Sequence, residues 1–390
     1  MKIITDEKKI LEILDIGVEE IIERQHLIDN LKSGRRLNVK FGIDPTMPDL
    51  HLGHSVPLRK LRQFQDLGHL AVLIIGDATA MIGDPSGRSE TRKILSSKEV
   101  KKNMANYLNQ ARKILDAKKT RVVYNSKWLG GRNMATILEL SKAGSIQQIL
   151  HRSDFKKRIE NDQDITLLET LYPLLQGYDS VVVKADLEIG GTDQKFNLLT
   201  GRRVQKYFKV PEQDVLTLPL LVGTDGVKKM SKSYGNYIAL NDRPDDMFGK
   251  IMSIKDELVN KYFELCTGIK DLGFLNNGNM RDAKLKLAFE VVRTYYNDKA
   301  AEKAKENFII TFQKKEIPKE IPKIKLNEGE KLMEALVREK VLSSKSDFRR
   351  LILEGAILDL VSQNKITDPN LVPKKGSKFK IGKKKFIEIL

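Results

Sequence analysis

Apolar residues recur at helical spacing through the first part of the chain, with Ile10, Leu11, Leu14 and Val18 followed by Ile21, Ile22, Leu27 and Leu31. This spacing predicts helix over residues 6–33, ending near Gly34. The period then changes. Leu37–Ile43 alternates as a half-buried strand does, Asp44-Pro45-Thr46-Met47-Pro48 breaks it, and Leu58, Leu61, Phe64 and Leu67 restore helical spacing. Leu70–Ile75 is apolar at every position, the pattern of a parallel strand covered on both faces. Strand, helix, strand in that order is the unit of a parallel sheet. Further strands are expected at Arg121–Tyr124, Ala185–Ile189 and Val215–Val222. Together these elements predict a doubly wound, Rossmann-like α/β catalytic domain over 1–240, binding ligand at the carboxyl ends of its strands.

Residues 96–180 are mostly helical and interrupt the strand series, which reads as an insertion. Residues 244–312 carry helical spacing throughout (Met247, Phe248 and Ile251, then Leu258, Tyr262 and Leu265), giving an α-helical domain over 241–315. Pro318 and Pro322 stand four apart among charges and mark a linker at 316–327. A small α+β module is expected at 328–390. No internal repeat is evident, and no apolar stretch is long enough to cross a bilayer.

Charge adds a partner. Lys and Arg number 69 against 52 Asp and Glu, a net +17 and a pI near 9.5. Such an excess attracts polyanions, although a lysine-rich surface that is merely solvated gives the same number. The single cysteine, Cys266, leaves no disulfide framework and no closed cysteine-rich zinc site. The charged start, MKIITDEKKILEILD, is unlike a secretory signal, and a cytoplasmic protein fits best.

Two short strings about 180 residues apart carry the chemistry. His51-Leu52-Gly53-His54 opens a helix, whose free N–H groups and partial positive charge suit an anion. Its imidazoles can donate to phosphate oxygens as charge develops, and Gly53 allows close backbone approach. Taken alone, the string reads equally as a capped helix with two surface histidines, and no neighbouring ligand set supports zinc. Lys229-Met230-Ser231-Lys232-Ser233 lies in a loop with Gly226 and Gly235 near its ends. Its lysines can neutralise a leaving pyrophosphate once the loop closes; alone, it is a solvated basic loop.

Three further blocks stand between them. Gly83-Asp84-Pro85-Ser86-Gly87-Arg88 follows the apolar strand and lacks the Gly-Lys-Ser/Thr ending of a phosphate loop. Tyr172, Gln176 and Asp179 are spaced four and three apart, so one helix face presents a phenol, an amide and a carboxylate to a common point. That group can read an α-amino acid or form an exposed polar stripe. Gly190-Gly191-Thr192-Asp193-Gln194 ends a strand, and Asp193 can accept from ribose hydroxyls.

The two paired strings, in this order on this scaffold, resemble the signatures of class I aminoacyl-tRNA synthetases, and the blocks between them resemble the tyrosyl-tRNA synthetases of bacterial type. The resemblance covers essentially the whole chain and implies a tyrosine–tRNA ligase. His51, His54, Thr46, Lys229 and Lys232 would act on the phosphates, with Arg88 and Arg92 helping to bind pyrophosphate. Family members commonly carry lysine at the position of Arg88. Asp84, Tyr172 and Gln176 would hold the substrate ammonium, Asp44 and Gln194 would lie against the amino acid, and Asp179 would read the phenolic hydroxyl. Gly53, Gly191, Asp193 and Met230 would bind ATP. A carboxylate that demands a hydroxyl partner is how a site rejects phenylalanine, tyrosine-specific synthetases being themselves the standard illustration of this discrimination.

One position departs from the pattern. Some relatives carry a second hydroxyl-reading tyrosine two residues before the glycine matched by Gly42, where this chain has Lys40.

The final module resembles an S-four-like RNA-binding domain. Leu342–Ile357 reads as a capped helix with Lys345, Arg349 and Arg350, and residues 371–390 hold seven lysines and one glutamate. Such a surface suits the phosphate backbone of tRNA(Tyr), and a solvated basic tail is its alternative. The resemblance further implies ATP with Mg²⁺ as the substrate complex, no tightly bound cofactor or structural metal, and a homodimer joined through 96–180. A tryptophan-specific relative, a small-molecule nucleotidyltransferase and a non-enzymatic RNA-binding paralogue remain the alternatives.

Overall fold

The structure is a computed structural model, and it describes residues 2–86, 95–130, 134–269, 271–277, 279–311, 321–362, 364–382 and 385–390. The chain forms two compact units, Met1–Ala301 and Glu302–Leu390.

The first unit is built on a six-stranded sheet comprising β1 (Glu20–Ile22), β2 (Asn38–Ile43), β3 (Leu70–Ile75), β4 (Thr120–Tyr124), β5 (Leu187–Gly191) and β6 (Asp214–Leu218). Their spatial order is β1-β6-β5-β2-β3-β4. All neighbours run parallel except β1, which pairs antiparallel with β6 at the edge. The order reverses between β2 and β5, the topological switch point at which open α/β sheets bind ligands. Pairing there is short: Val39 meets Leu187, Lys40 meets Glu188, and the ladder stops. Beyond that pair the two strands part, and the crevice begins.

The central strands owe their places to composition. Ala71–Ile75 of β3 is buried throughout, as a strand covered on both faces must be. The helix Leu52–Asp66 crosses from β2 to β3 and buries Leu52, Val56, Leu58, Leu61 and Phe64 beneath the sheet.

The amino terminus departs from the single helix predicted over 6–33. Helices Glu7–Asp15 and Arg24–Lys32 flank β1 instead. Gly17 takes a positive φ of 65° that ends the first helix, and Glu20–Ile22 spends its backbone hydrogen bonds on the sheet edge. The strand expected over Val215–Val222 stops at Leu218, before Pro219, which has no N–H to continue a ladder. The strand expected at Ala185–Ile189 runs two residues later, over Leu187–Gly191. The stretch 96–180 is helical apart from β4, which joins the central sheet beside β3.

Helices Pro244–Met252, Val259–Cys266 and Met280–Tyr295 follow, with Met247, Phe248, Tyr262, Phe263 and Leu287 in their core. Among the described residues, no helix is long and apolar enough to cross a membrane.

The second unit has its own core. Helices Leu332–Arg338 and Lys345–Leu353 lie with a four-stranded sheet, ordered β7 (Lys323–Ile324), β10 (Lys385–Ile389), β9 (Lys378–Ile381) and β8 (Ile357–Asp359). Leu332, Leu336, Phe348, Ile357, Phe379 and Ile387 fill the space between them.

Candidate active site

The crevice at the switch point is a cavity of about 550 Å³. Asp44, Thr46, His51, Gly53, His54, Asp84, Tyr172, Gln176, Asp179, Gly191, Asp193, Gln194, Lys229, Met230 and Lys232 all line it. Arg88 and Arg92 lie outside the described residues.

At one end, backbone hydrogen bonds tie the two distant strings together. Leu52 N–H donates to Ile238 O at 3.0 Å and Leu240 N–H to Leu50 O at 2.9 Å, so the segment after the lysine loop clamps the entry to the histidine helix. His51 caps that helix in an extended conformation and donates its N–H to His54 Nδ1 at 3.2 Å. With Nδ1 accepting, the proton of neutral His54 resides on Nε2, which makes that atom a donor. The two rings lie 3.9 Å apart. Burial, with the charges of His54 and Lys232 adding to it, pushes His51 down to about 2. Burial alone pushes His54 down to about 4. Both are therefore neutral donors at pH 7, with His51 Nδ1 buried and unpartnered among the described residues. A Cβ on Gly53 would stand 3.0 Å from the His51 ring, so a larger residue there would press on that ring.

The lysine loop faces the histidines. Ser231 N–H donates to Asn236 Oδ1 at 2.8 Å, and Asn236 Nδ2 donates to Asp225 Oδ2 at 2.9 Å, which fixes the loop's base. Lys229 pairs with Asp193 at 2.7 Å and Lys232 with Asp49 at 3.3 Å. Both lysines thus sit on pocket carboxylates that a polyphosphate would have to compete with. Gly191 is close-packed as well, since a Cβ there would stand 2.8 Å from Asp193 Oδ1 and from Leu220.

Across the crevice, the residues suited to an ammonium group converge. Tyr172 OH donates to Asp44 Oδ2 at 2.9 Å, and Thr79 Oγ1 donates to Asp44 Oδ1 at 2.8 Å. Burial and the Asp44 charge push the Tyr172 phenol well above its ordinary value, so it remains a donor. Gln194 Nε2 donates to Asp84 Oδ2 at 2.7 Å. Asn197 Nδ2 lies 3.1 Å from Gln176 Oε1 and 3.0 Å from Gln194 Oε1.

Asp179 is buried at the far end of the same face. Trp128 Nε1 donates to one of its oxygens at 2.8 Å and Asn125 Nδ2 to the other at 3.3 Å. Asn125 also donates to Thr79 Oγ1 at 3.0 Å, so one chain of hydrogen bonds runs from Asp179 to Asp44. Burial pushes Asp179 up to about 6, against the opposing pull of Lys40 and the two donors. Lys40 is not itself a second reader of the ligand. Its ammonium is fully buried and spends its three N–H groups on Glu188 at 2.8 Å, Ser180 Oγ at 2.7 Å and Gln176 O at 3.0 Å.

Sequence reasoning missed Trp128, Asn125, Asp49, Thr79 and Asn197. Asn197 carried a signal, standing three residues after Gln194 where one helical turn brings the two together. Among the described residues, no three His, Cys, Asp or Glu side chains are grouped to hold a metal ion.

In the second unit, Lys345 pairs with Glu334 at 3.0 Å and Arg350 with Glu354 at 2.9 Å. Arg349 is exposed beside them, on the same helix.

Residues 32–313 match the family model described as tRNA synthetases class I (W and Y). The chain is 46% identical to the tyrosine–tRNA ligase of Carboxydothermus hydrogenoformans, over 98% of both chains. It is 45% identical to the tyrosine–tRNA ligase of Thermotoga maritima, covering 97% of this chain and 96% of that one. Among solved structures, the mitochondrial tyrosyl-tRNA synthetase of Aspergillus nidulans superposes with a TM-score of 0.66 at 21% identity, over 78% of this chain and 94% of its own. The Archaeoglobus fulgidus tyrosyl-tRNA synthetase complexed with L-tyrosine gives a TM-score of 0.60 at 20% identity, over 77% and 99%. These two likenesses concern the fold.

Proposed function

The chain belongs to the class I tRNA synthetases of the tryptophan and tyrosine type, and from that premise we propose how its pocket works as that of a tyrosine–tRNA ligase. It activates L-tyrosine with ATP to tyrosyl-adenylate and then transfers the tyrosyl group to the 3′ end of tRNA(Tyr). In the first step a tyrosine carboxylate oxygen bonds to the α-phosphorus of ATP, the bond to the bridging oxygen breaks, and pyrophosphate leaves. In the second, a terminal ribose hydroxyl attacks the acyl carbon and AMP leaves.

The near-full-length identity to tyrosine–tRNA ligases supports tyrosine over tryptophan, and the observation that supports tyrosine over phenylalanine is Asp179. A buried carboxylate held by Trp128 and Asn125 keeps lone pairs for one more donor, and a phenolic hydroxyl supplies it. Phenylalanine, which carries no donor on its ring, leaves that acceptor desolvated and unmatched. Asp84, Tyr172 and Gln176 receive the ammonium at the opposite end.

Catalysis is positioning and charge stabilisation, with no covalent nucleophile from the protein. His54 Nε2–H and His51 donate to phosphate oxygens as charge builds in the transition state. Lys229 and Lys232 exchange Asp193 and Asp49 for the leaving pyrophosphate, and Asp193, once released, accepts from the ribose. ATP enters as its Mg²⁺ complex.

The basic helix and hairpin of the second unit bind tRNA through its phosphates, with Lys345, Arg349 and Arg350 on that surface. The enzyme works in the cytoplasm as a homodimer joined through 96–180. Leu138, Ile146, Ile159 and Leu167 of that stretch are exposed, Leu167 by 79%, and this supports a covered face there.

Charging of a tRNA(Tyr) transcript, with each amino acid offered separately, tests the assignment. Tyrosine-dependent charging with AMP release is expected. Charging with tryptophan instead would overturn the specificity, and tRNA binding without any charging would favour the non-enzymatic paralogue.

A further inference from the structure

Behind the ammonium-facing wall lies a buried arginine to which no role has yet been given. Arg152 stands between helices Ile146–Leu150 and Ser153–Glu160, its side chain nearly inaccessible to solvent. Its guanidinium lies over the rings of Phe155 at 5.2 Å and Phe196 at 4.9 Å. Every edge of the fork is spent. Nε and Nη2 reach the two oxygens of Asp154 at 3.0 and 2.8 Å, Nη2 also reaches Ser86 Oγ at 2.9 Å, and Nη1 reaches Asn197 Oδ1 at 2.8 Å.

The last contact has a directional consequence. Arginine has donors and no acceptor, so it donates only to the oxygen face of the Asn197 amide. The amide nitrogen is thereby turned toward the pocket, where Gln176 Oε1, Gln194 Oε1, Ser86 Oγ and Asp84 Oδ1 lie within 3.0 to 3.4 Å of it. Two N–H groups shared among four acceptors orient them and leave lone pairs for a further donor. That donor is cationic: Asp84 is a carboxylate, Gln176 presents an oxygen, and Asp154 screens the Arg152 charge. Arg152 therefore sits one amide away from the position of a substrate ammonium without touching it.

Resting on the tyrosine reading of this pocket, we propose that Arg152 is a positioning residue for recognition of the substrate α-ammonium group, acting through Asn197. A residue that merely filled space would weaken all ligands of the pocket alike. One that aims the ammonium acceptors weakens only ligands that carry an ammonium group.

Equilibrium dialysis with three ligands distinguishes the two. L-tyrosine and tyramine carry the ammonium group, and 3-(4-hydroxyphenyl)propanoate lacks it. All three would be measured with the unsubstituted full chain, Arg152→Met and Asn197→Ala, the second variant carrying the test should the first not fold. Tyrosine and tyramine should weaken about tenfold in either variant, as for loss of one hydrogen bond to a charged group, while the propanoate changes less than about twofold. Equal weakening of all three ligands, or none, would overturn the assignment. Failure of the unsubstituted chain to bind tyrosine would instead remove the pocket reading, and this assignment with it.

Discussion

Replacing Asp179 by asparagine separates what this carboxylate does for recognition from what it costs the fold. In the folded protein burial holds it at about 6, above its ordinary 3.8. A carboxyl raised in this way contributes stability below its unfolded value, and that contribution is lost as pH rises through the folded value. The difference amounts to about 3 kcal/mol that ionised Asp179 withdraws from stability at neutral pH. Asp179→Asn should therefore stabilise the fold at pH 7.5 by up to about that free energy, seen as a higher melting temperature, while damaging tyrosine binding. A phenol donating to an ionised carboxylate is worth about 1.5–3 kcal/mol, so tyrosine affinity should fall roughly 10- to 150-fold. Titration of tyrosine affinity supplies the sign. The ionised carboxylate is the stronger acceptor, so affinity should be level above pH 6 and fall below it, levelling off within that roughly 10- to 150-fold difference. His51 and His54, held near 2 and 4, do not titrate in that range. Trp128, the only tryptophan in the chain and hydrogen-bonded to Asp179, provides a fluorescence signal for the titration. An inflection near pH 6 that persisted in Asp179→Asn would refute the reasoning, as would a variant both less stable and equally weakened for phenylalanine.

Other substitutions probe separate parts of the account. His54→Ala should slow adenylate formation about 100-fold or more in single-turnover assays while leaving the tyrosine dissociation constant within about twofold, because its donor matters most in the transition state. A Cβ at Gly76 would overlap Asp44 Oδ1 and Thr79 Oγ1, so Gly76→Ala should raise the KM for tyrosine about tenfold or more and leave that for ATP nearly unchanged. Phe348 is fully buried in the second unit, and Phe348→Ala should cost that unit about 3–5 kcal/mol. The expected result is loss of tRNA charging with tyrosine-dependent pyrophosphate exchange preserved, and loss of both activities would contradict the division of labour.

What the sequence disclosed depended on whether the signal was local. Leu70–Ile75 and the helix after Pro48 are legible because burial on both faces, or on one stripe, writes itself into consecutive residues. Residues 6–33 mislead because Ile21 and Ile22 satisfy a helical stripe and an edge strand equally, and only the distant partners Val215 and Leu216 decide between them. The residues touching the crevice fall in short blocks whose spacing matches a helix face or a strand end, so they could be nominated before the fold was seen. The layer behind them could not. Arg152 meets Ser86 and Asn197, and Trp128 meets Asp179, across tens of residues of intervening chain, and nothing in their own neighbourhoods announces these contacts. Lys40, where the chain departs from relatives with a tyrosine, is likewise explained only by the fold, its buried neighbours absorbing all three of its N–H groups.

The central claim is tyrosine-specific adenylate chemistry in this crevice, and exchange of labelled pyrophosphate into ATP tests it most directly, run separately with tyrosine, phenylalanine and tryptophan. The account predicts exchange with tyrosine alone, abolished by excess cold pyrophosphate and strongly reduced in Asp179→Asn. Exchange driven by tryptophan or phenylalanine as well as by tyrosine, or by none of the three, would contradict it.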